Sequence, residues 1–410
     1  MTRRMILLVG ILWVIGAVSA QAQDNWFGYL YNWQEHQFVR VDAAGSATTY
    51  ELGLSDQAFF SSRDMAFSAD GARVAFCAVD YAANTPRATL YLRDIAAQTN
   101  LLQLDLGSSI GCQVTPAAFN QNETQLAVGL VNYFGAEDPN ADLSRPIWQL
   151  RVLDLTTSNF VQELNAQSPA VSSSEMLPET AIMPTVRSFT NDTIIFAEVP
   201  YGIGGTPTVS AFSWQMSSGT LAVVPEGPWG HLSADWLSAT GEVAWVAHND
   251  TLPAAEPNGP LGFANVVILG DSSGQERMIY HTAEWTIIDV RFIEGGQRLA
   301  ILLFPQLTPG TEPGAEPTRW IALDRSGNVS DLQVNTEFGG GLMAGPEGYL
   351  YLSANVVEQN PDASQFTLEW YRNNQPQVLW TAQGQAWELV YSAAATTMPN
   401  LPPFPTFTLA

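Results

Sequence analysis

The sequence predicts an all-β protein, a seven-bladed β-propeller of four-stranded antiparallel blades. Two observations support this fold class: a strand–turn–strand unit recurs along the chain, and no long stretch shows the 3.6-residue period of a helix. The residues that end the first strand of each unit lie 52, 70, 47, 56 and 51 positions apart; they are Phe67, Phe119, Phe189, Trp236, Phe292 and Met343.

The clearest unit is residues 67–95, which read FSADGARVAFCAVDYAANTPRATLYLRDI. A strand ends at Phe67, a tight turn follows, and residues 73–79 and 89–95 form the next two strands. Asp70 and Gly71 suit the turn because both tolerate the backbone angles of a chain reversal. One such unit cannot bury both of its faces, so it predicts neighbours of the same kind.

The two ends of the chain supply the seventh blade. Six complete units occupy residues 59–380. Residues 26–32, 38–42 and 48–52 read as three strands without an inner strand, and residues 387–392 read as a single strand. Pairing these two groups would close the ring and remove the exposed edges of an open array. Six or eight blades are the alternatives, because the third repeat is long and the last is degenerate.

The segments FSADGARVAF and ATLYLRDI resemble the WD-type repeat in its TolB-like bacterial form. Units of that family read approximately Phe-Ser-Pro-Asp-Gly, a basic residue and a short apolar strand, and Ala69 stands where the family favours proline. The resemblance implies a propeller over nearly the whole mature chain. It implies no activity, because the family includes binding platforms, envelope proteins and protease accessory domains.

The N-terminus has the pattern of a signal peptide over residues 1–22. Arg3 and Arg4 precede an apolar run at residues 5–18, and Ala20-Gln21-Ala22 matches a cleavage site. The run is short for a membrane span, and a retained N-terminal anchor is the alternative. We expect a secreted or periplasmic chain with one propeller domain, residues 23–392. A proline-rich tail, residues 393–410, would lie on the surface or be mobile.

The charge of the chain is strongly acidic. All 16 basic residues are arginine, and removal of Arg3 and Arg4 leaves 14 basic against 40 acidic residues, a net charge of −26. This balance argues against nucleic acid and anionic membrane surfaces, which are bound by cationic side chains. The absence of lysine excludes Schiff-base chemistry. Acidity favours polar or cationic ligands, and a well-solvated surface without a specific partner is the alternative.

Cys77 and Cys112 are the two cysteines of the chain. Cys77 lies in the second strand of its unit, and Cys112 opens the first strand of the next unit. Because an exported chain meets oxidising conditions, we predict a disulfide between these two strands. Two isolated thiols do not make a zinc site, which usually needs four ligands.

The connections between second and third strands are long, whereas most other turns are short. They span residues 80–87, 129–146, 198–208, 248–263, 304–318 and 354–365. In a propeller these connections share one face with the starts of the inner strands, where aromatic residues gather. The sequence therefore predicts a ligand-binding rim around the channel mouth, and the alternative is packing of these rings between blades. The candidate residues are Phe60, Trp229, His231, Trp285 and Trp387, with Phe59 and Phe338 nearby.

Catalytic and metal-binding motifs are degenerate in this sequence. Residues 107–111 and 270–274 match G-x-S-x-G, but neither precedes a helix as a nucleophile elbow must. The histidines show no ligand spacing. Asp138, Asn140, Asp142 and Ser144 alternate as an EF-hand calcium loop begins, yet Leu143 and Gln149 replace its glycine and its glutamate. We predict no cofactor, with a calcium ion near Asp138, Asn140 and Asp142 as a minor alternative to a solvated loop.

These observations together predict an exported, monomeric and non-catalytic binding platform. Its ligand would be a protein, a peptide or a carbohydrate held on the face with the long connections. A secreted hydrolase or lyase acting on a sugar or lactone is one alternative, and a structural envelope component is another. An enzyme would need acids, or an acid with His231, converging on the channel mouth.

Overall fold

A computed structural model contains seven antiparallel sheets arranged as the blades of a closed propeller. It describes residues 26–54, 58–59, 64–81, 86–132, 146–172, 182–200, 211–224, 233–237, 240–253, 264–271, 275–305, 318–334, 341–345, 348–355, 357, 360–372, 375–384, 387–393 and 401–407. The predicted fold class and the count of seven blades are both confirmed.

Blade 1 joins the two ends of the propeller. From the inside outwards it comprises β29 (Trp387–Ser392), β1 (Phe27–Asn32), β2 (Gln37–Asp42) and β3 (Ala47–Glu51). The two terminal groups pair antiparallel, with Trp387 opposite Asn32 and Ser392 opposite Gly28. The C-terminal strand therefore supplies the inner strand that the N-terminal strands lack, as the sequence predicts.

Each of the other blades uses one continuous stretch of chain, with its strands in sequence order from the inside outwards. Blade 2 contains β4 (Ala58–Phe59) and β5 (Met65–Phe67), which together form the inner strand, then β6 (Arg73–Asp80), β7 (Arg87–Asp94) and β8 (Thr99–Ser108). Blade 3 contains β9 (Ile110–Gln113), β10 (Gln125–Asn132), β11 (Trp148–Asp154) and β12 (Asn159–Asn165). Blade 4 contains β13 (Ile182–Phe189), β14 (Thr193–Pro200), β15 (Ala211–Gln215) and β16 (Thr220–Val224).

Blades 5 to 7 complete the ring. Blade 5 contains β17 (Ala234–Leu237), β18 (Glu242–Ala247), β19 (Val266–Gly270) and β20 (Glu276–His281). Blade 6 contains β21 (Trp285–Ile293), β22 (Arg298–Pro305), β23 (Arg319–Asp324) and β24 (Val329–Asp331). Blade 7 contains β25 (Gly341–Gly345), β26 (Gly348–Asn355), β27 (Gln365–Arg372) and β28 (Gln375–Gln383).

Helix is confined to single turns in the described part of the chain. These are α1 (Pro169–Ser172) and two 3₁₀ turns, Glu294–Gly296 and Pro361–Ala363. No helix within the described ranges is long and apolar enough to cross a membrane.

Burial falls from the inner strands to the outer strands of a blade. In β10 every residue from Leu126 to Asn132 is buried, whereas most residues of the outer strand β12 are exposed or half-buried. Neighbouring blades cover both faces of a second strand, so that strand is a continuous apolar run, while an outer strand meets water. The core accordingly lies between blades; one cluster, for example, joins Val152 of blade 3 to Phe196 of blade 4.

Aspartates at the ends of third strands fix the turns to the outer strands. The Oδ1 atom of Asp154 accepts hydrogen bonds from the backbone N–H groups of Thr156 and Thr157, at 2.9 and 2.8 Å. Asp42, Asp94 and Asp324 accept backbone N–H groups in the same turn of their own blades. The recurring aspartate of the sequence repeat is therefore a turn-forming residue, as expected of an acceptor that bonds the backbone two or three residues on.

The disulfide predicted between Cys77 and Cys112 is present and joins β6 of blade 2 to β9 of blade 3. The two Cα atoms lie 5.9 Å apart, and Cys77 is buried in the apolar cluster between these blades. The covalent link therefore holds two neighbouring blades together near the inner side of the ring.

Part of the C-terminal tail is docked on blades 5 and 6. Phe404 is 2% exposed and belongs to the apolar cluster that these blades share, and Leu401 packs against the same cluster. The N–H of Phe407 donates to the carbonyl of Met278 at 2.8 Å, and Nε of Arg277 donates to the carbonyl of Phe404 at 3.2 Å. The sequence left open whether the tail lies on the surface or is mobile. Residues 401–407 lie against the propeller, where Phe404 completes the core between blades 5 and 6.

Candidate functional site

The two faces of the ring carry different connections. Successive strands of a blade alternate in direction, so the connection from the second to the third strand leaves at the opposite end from the turn between the first and second. We call the end with the second-to-third connections the long-loop face, and the opposite end the short-turn face. The inner strands begin at the long-loop face and run towards the short-turn face.

Three exposed apolar side chains stand on the long-loop face of three consecutive blades. Val357 of blade 7, Trp33 of blade 1 and Tyr81 of blade 2 each lie in the second-to-third connection, and they are 38%, 48% and 51% exposed. We call this set the apolar arc. Large aromatic side chains exposed in this way are uncommon on a soluble domain unless they meet a partner.

The turn that carries Trp33 is held by its own hydrogen bonds. The Oδ1 atom of Asn32 accepts the backbone N–H groups of Gln34 and Glu35, at 2.9 and 3.1 Å. His36 adopts a positive φ of 51°, and its Nδ1 lies 3.1 Å from the hydroxyl oxygen of Tyr31. Because these contacts fix the backbone on both sides of the tryptophan, the exposed indole is presented from an ordered turn.

Trp285 is the one candidate of the predicted rim that the structure leaves half-buried. It begins the inner strand β21 at the long-loop face and packs against the cluster between blades 5 and 6. The guanidinium carbon of Arg319 lies 5.6 Å from the centroid of its ring, and Arg319 also pairs with Asp331. Part of the indole is therefore exposed to solvent.

Trp387 does not stand open at the channel mouth. Its side chain is 8% exposed and packs edge-on against Trp380, with ring centroids 4.9 Å apart. It belongs to the apolar cluster that joins blade 7 to blade 1. This placement corrects the expectation of an exposed ring and follows the alternative of packing between blades, because Trp387 opens the strand that closes the propeller.

Several predicted features lie outside the described residues. They are Phe60, Trp229, His231, Phe338 and the calcium-loop residues Asp138, Asn140, Asp142 and Ser144. No group of three or more potential metal ligands occurs among the residues that the structure does describe. The G-x-S-x-G match at residues 107–111 falls where blade 2 passes to blade 3, since β8 ends at Ser108 and β9 begins at Ile110.

The inner strands carry a belt of polar side chains that bridges neighbouring blades. In blades 2 to 4, Nε2 of Gln113 donates to Oδ1 of Asp64 at 2.7 Å, and Oγ1 of Thr185 lies 2.9 Å from Oε1 of Gln113. In blades 5 and 6, Ser233 donates to Asp289. These hydrogen bonds place charged and polar groups around the ring axis, with partners already within the protein.

The positive charge of Arg291 is paired with a carboxylate inside this belt. Its Nη2 lies 3.2 Å from Oδ1 of Asp289, and its Nε lies 3.2 Å from Oδ2 of the same carboxylate. Burial acts to lower the pKa of the guanidinium, but the carboxylates of Asp289 and Asp235 outweigh it, and the pKa is raised. The guanidinium of Arg291 is therefore held in its charged form beside Asp289 on the inner strand β21.

The apolar arc was not among the predicted residues, which were His231 and aromatic residues at the starts of inner strands. A signal was present: Trp33 is the one apolar residue within the polar stretch from Asn32 to Gln37. Tyr81 directly follows Asp80, which ends a buried strand. Aromatic residues in polar connections have no core to enter, whereas aromatic residues inside strands usually pack.

The sequence matches no family model and no curated protein. Solved propellers are similar in fold. The acylaminoacyl peptidase of Pyrococcus horikoshii is 11% identical with a TM-score of 0.47; the match covers 84% of this chain and 48% of that one. This chain thus spans about half the length of that enzyme.

Two further solved structures are similar in fold. An oligogalacturonate lyase, solved in complex with manganese, is 13% identical with a TM-score of 0.43, and the match covers 86% of this chain and 83% of that one. TolB from Acinetobacter baumannii is 12% identical with a TM-score of 0.34, over 88% of this chain and 66% of that one. Identities this low concern the fold alone.

Proposed function

We propose that this chain is an exported binding module that engages a protein or peptide partner on its long-loop face. The observation that carries the proposal is the apolar arc of Val357, Trp33 and Tyr81. Interface centres are enriched in aromatic side chains that lose their water on binding, and two of these three residues are aromatic. Trp285 belongs to the same proposal, together with Trp229 and His231, for which the sequence predicts a place at the rim.

The chemistry of the partner follows from charge. The predicted mature chain carries a net charge of −26, so electrostatic attraction would favour a partner with a cationic surface around its apolar contact. Export rests on the N-terminal pattern of residues 1–22, and the Cys77–Cys112 disulfide is compatible with an oxidising compartment.

The test uses a photoreactive amino acid placed at position 33 or 81 in the full-length chain within its native cells. We expect the same discrete cross-linked product from both positions. A matched control is position 378, since Val378 is exposed on the outer strand β28 and away from the long-loop face. Identification of one product by mass spectrometry at positions 33 and 81, with none at 378, would support the proposal. No product at either arc position, or the same product at 378, would contradict it.

A further inference from the structure

Arg187 is displaced from the regular ladder of the inner strand of blade 4. Val186 pairs with Phe196 and Ser188 pairs with Ile195, so Arg187 is the extra residue of a β-bulge in β13. Val186 packs in the apolar cluster between blades 3 and 4. Bulges re-aim side chains, and β13 is the inner strand of its blade, so Arg187 lies in the layer of the propeller nearest to the ring axis.

Arg187 also lacks the partner that a buried cation requires. Its Nε atom is buried, and no acceptor within the described ranges lies at hydrogen-bond distance from it. Burial alone lowers the pKa of the guanidinium, without an opposing carboxylate. An arginine nevertheless remains protonated in proteins, so a positive charge is held in a poorly solvated position without a counter-ion.

Every other arginine that the structure describes has a contact within the protein, although Nε of Arg151, which pairs with Glu163, is also buried without a well-aligned hydrogen bond. Each contacts a carboxylate, a backbone carbonyl or an aromatic ring; they are Arg40, Arg73, Arg87, Arg93, Arg151, Arg277, Arg291, Arg298, Arg319, Arg325 and Arg372. Arg291 is the closest comparison, because it lies on the corresponding inner strand of blade 6 and has Asp289 beside it. Arg187 is the exception in a chain with 40 acidic residues.

We propose that Arg187 binds the carboxylate of a ligand in the central channel. A guanidinium presents parallel N–H donors that match the two oxygens of a carboxylate. A singly charged group suits this position better than a doubly charged phosphate, because Asp64 and Asp235 already place negative charge at the inner strands of blades 2 and 5. This site is separate from the apolar arc and does not depend on the proposed partner.

The position along the strand indicates the route of entry. Arg187 is the sixth of the eight residues of β13, which puts it about 16 Å from the start of the strand and about 7 Å from its end. The inner strand ends at the short-turn face. A ligand entering from that face therefore has the shorter path, and the apolar arc lies at the opposite end of the ring.

The test follows the side-chain Nε–Hε signals of the arginines by NMR, with acetate as the probe at constant ionic strength set by chloride. The signal of Arg187 is assigned by its loss in Arg187→Gln. We expect a saturable shift of this signal with acetate and a constant signal from Arg291. Acetate should raise the melting temperature of the wild type but not that of Arg187→Gln. Arg87→Gln, which makes the same change of charge at the exposed pair with Asp105, should keep the response.

Further probes distinguish the source of the carboxylate. N-acetylglycylglycine with a free carboxylate tests whether the ligand is the C-terminus of a peptide, and the amide of the same compound is the control. Binding of acetate without binding of the peptide would indicate a small carboxylic acid. Arg187→Lys keeps the charge without the parallel donors, and we expect at least a tenfold weaker affinity for acetate. An absent or non-saturable shift, an equal shift with chloride, or a response to inorganic phosphate without one to acetate would overturn the proposal.

Discussion

Arg325 and Glu242 form a buried ion pair that joins blade 6 to blade 5, with Nη2 of the arginine 2.6 Å from Oε2 of the glutamate. Nε of Arg325 donates to the carbonyl of Gly296 at 2.7 Å, and Nη1 donates to the carbonyl of Pro402 at 2.6 Å. The guanidinium carbon lies 4.3 Å from the ring centroid of Phe404. One side chain thus connects two blades and the C-terminal tail on the short-turn face.

Breaking this pair should destabilise the protein strongly. Glu242→Gln leaves the guanidinium of Arg325 buried without its counter-ion, and we expect a loss of about 3–5 kcal/mol in the free energy of unfolding. Arg87→Gln, at an exposed pair, should lower the free energy of unfolding much less, because solvent screens an exposed ion pair. Urea unfolding of both variants measures the difference. Equal, small losses would show that the buried pair contributes little.

Phe404 should contribute to stability as a core residue although it lies in the tail. Phe404→Ala removes a side chain that is almost fully buried between blades 5 and 6, and we expect a loss of about 3–5 kcal/mol. Val378→Ala, on an exposed side chain of β28, is the control and should change stability by less than about 0.5 kcal/mol. A wild-type unfolding midpoint for Phe404→Ala would mean that the tail is not docked in solution.

Closure of the ring can be separated from docking of the tail by two truncations. A chain ending at residue 400 loses the docked segment but keeps β29, whereas a chain ending at residue 385 loses both. We expect the melting temperature to fall in two steps, with the larger fall in the shorter chain, because loss of β29 leaves blade 1 without its inner strand and opens the ring. Equal melting temperatures for the two truncations would contradict the role of β29.

The disulfide should stabilise the native state by lowering the conformational entropy of the unfolded chain. The cysteines are 35 residues apart, and the chain-entropy model gives about 4 kcal/mol for a loop of this length. We expect Cys77→Ser/Cys112→Ser to lose a similar amount in urea unfolding. Mass spectrometry of the unreduced wild type should detect no free thiol. Two alkylated cysteines in the folded, unreduced protein would exclude the bond.

Stability should decrease in acid because of the aspartates in the turns. Hydrogen bonds from Thr156, Ser217 and Asn328 are the largest influences that lower the pKa values of Asp154, Asp192 and Asp324, respectively. A lowered folded-state pKa means that the stabilisation is present above the unfolded-state value of about 4 and is lost as the pH falls through the folded-state values.

The measurement is the melting temperature between pH 7 and pH 2.5 for the wild type and for a variant with all three aspartates changed to asparagine. The variant should be less stable at pH 7 and should lose less stability between pH 5 and pH 2.5. If the melting temperatures of the two proteins fell with the same slope below pH 4, other carboxylates would be the cause of the loss of stability in acid.

The sequence by itself determined the strands, the closure of the ring and the disulfide. Turn residues such as Asp70 and Gly71 act over a few positions, so the repeat can be read without knowledge of distant contacts. The unpaired strands at the two ends had one partner each, and two cysteines allow one intramolecular bond. These features depend on local backbone chemistry or on simple counting, which a linear sequence displays directly.

Only the tertiary structure decided which side chains are exposed and which are paired. Trp387 and Trp33 both lie at strand boundaries, yet one packs between blades 7 and 1 and the other faces water. A bulge displaces Arg187 from the ladder of its strand, and Phe404 packs at the junction of two blades that lie more than 70 residues earlier in the chain. The orientation of these side chains and their long-range contacts are set when the seven sheets pack around one axis. The strand pattern predicts the sheets but holds no information about how their side chains pack.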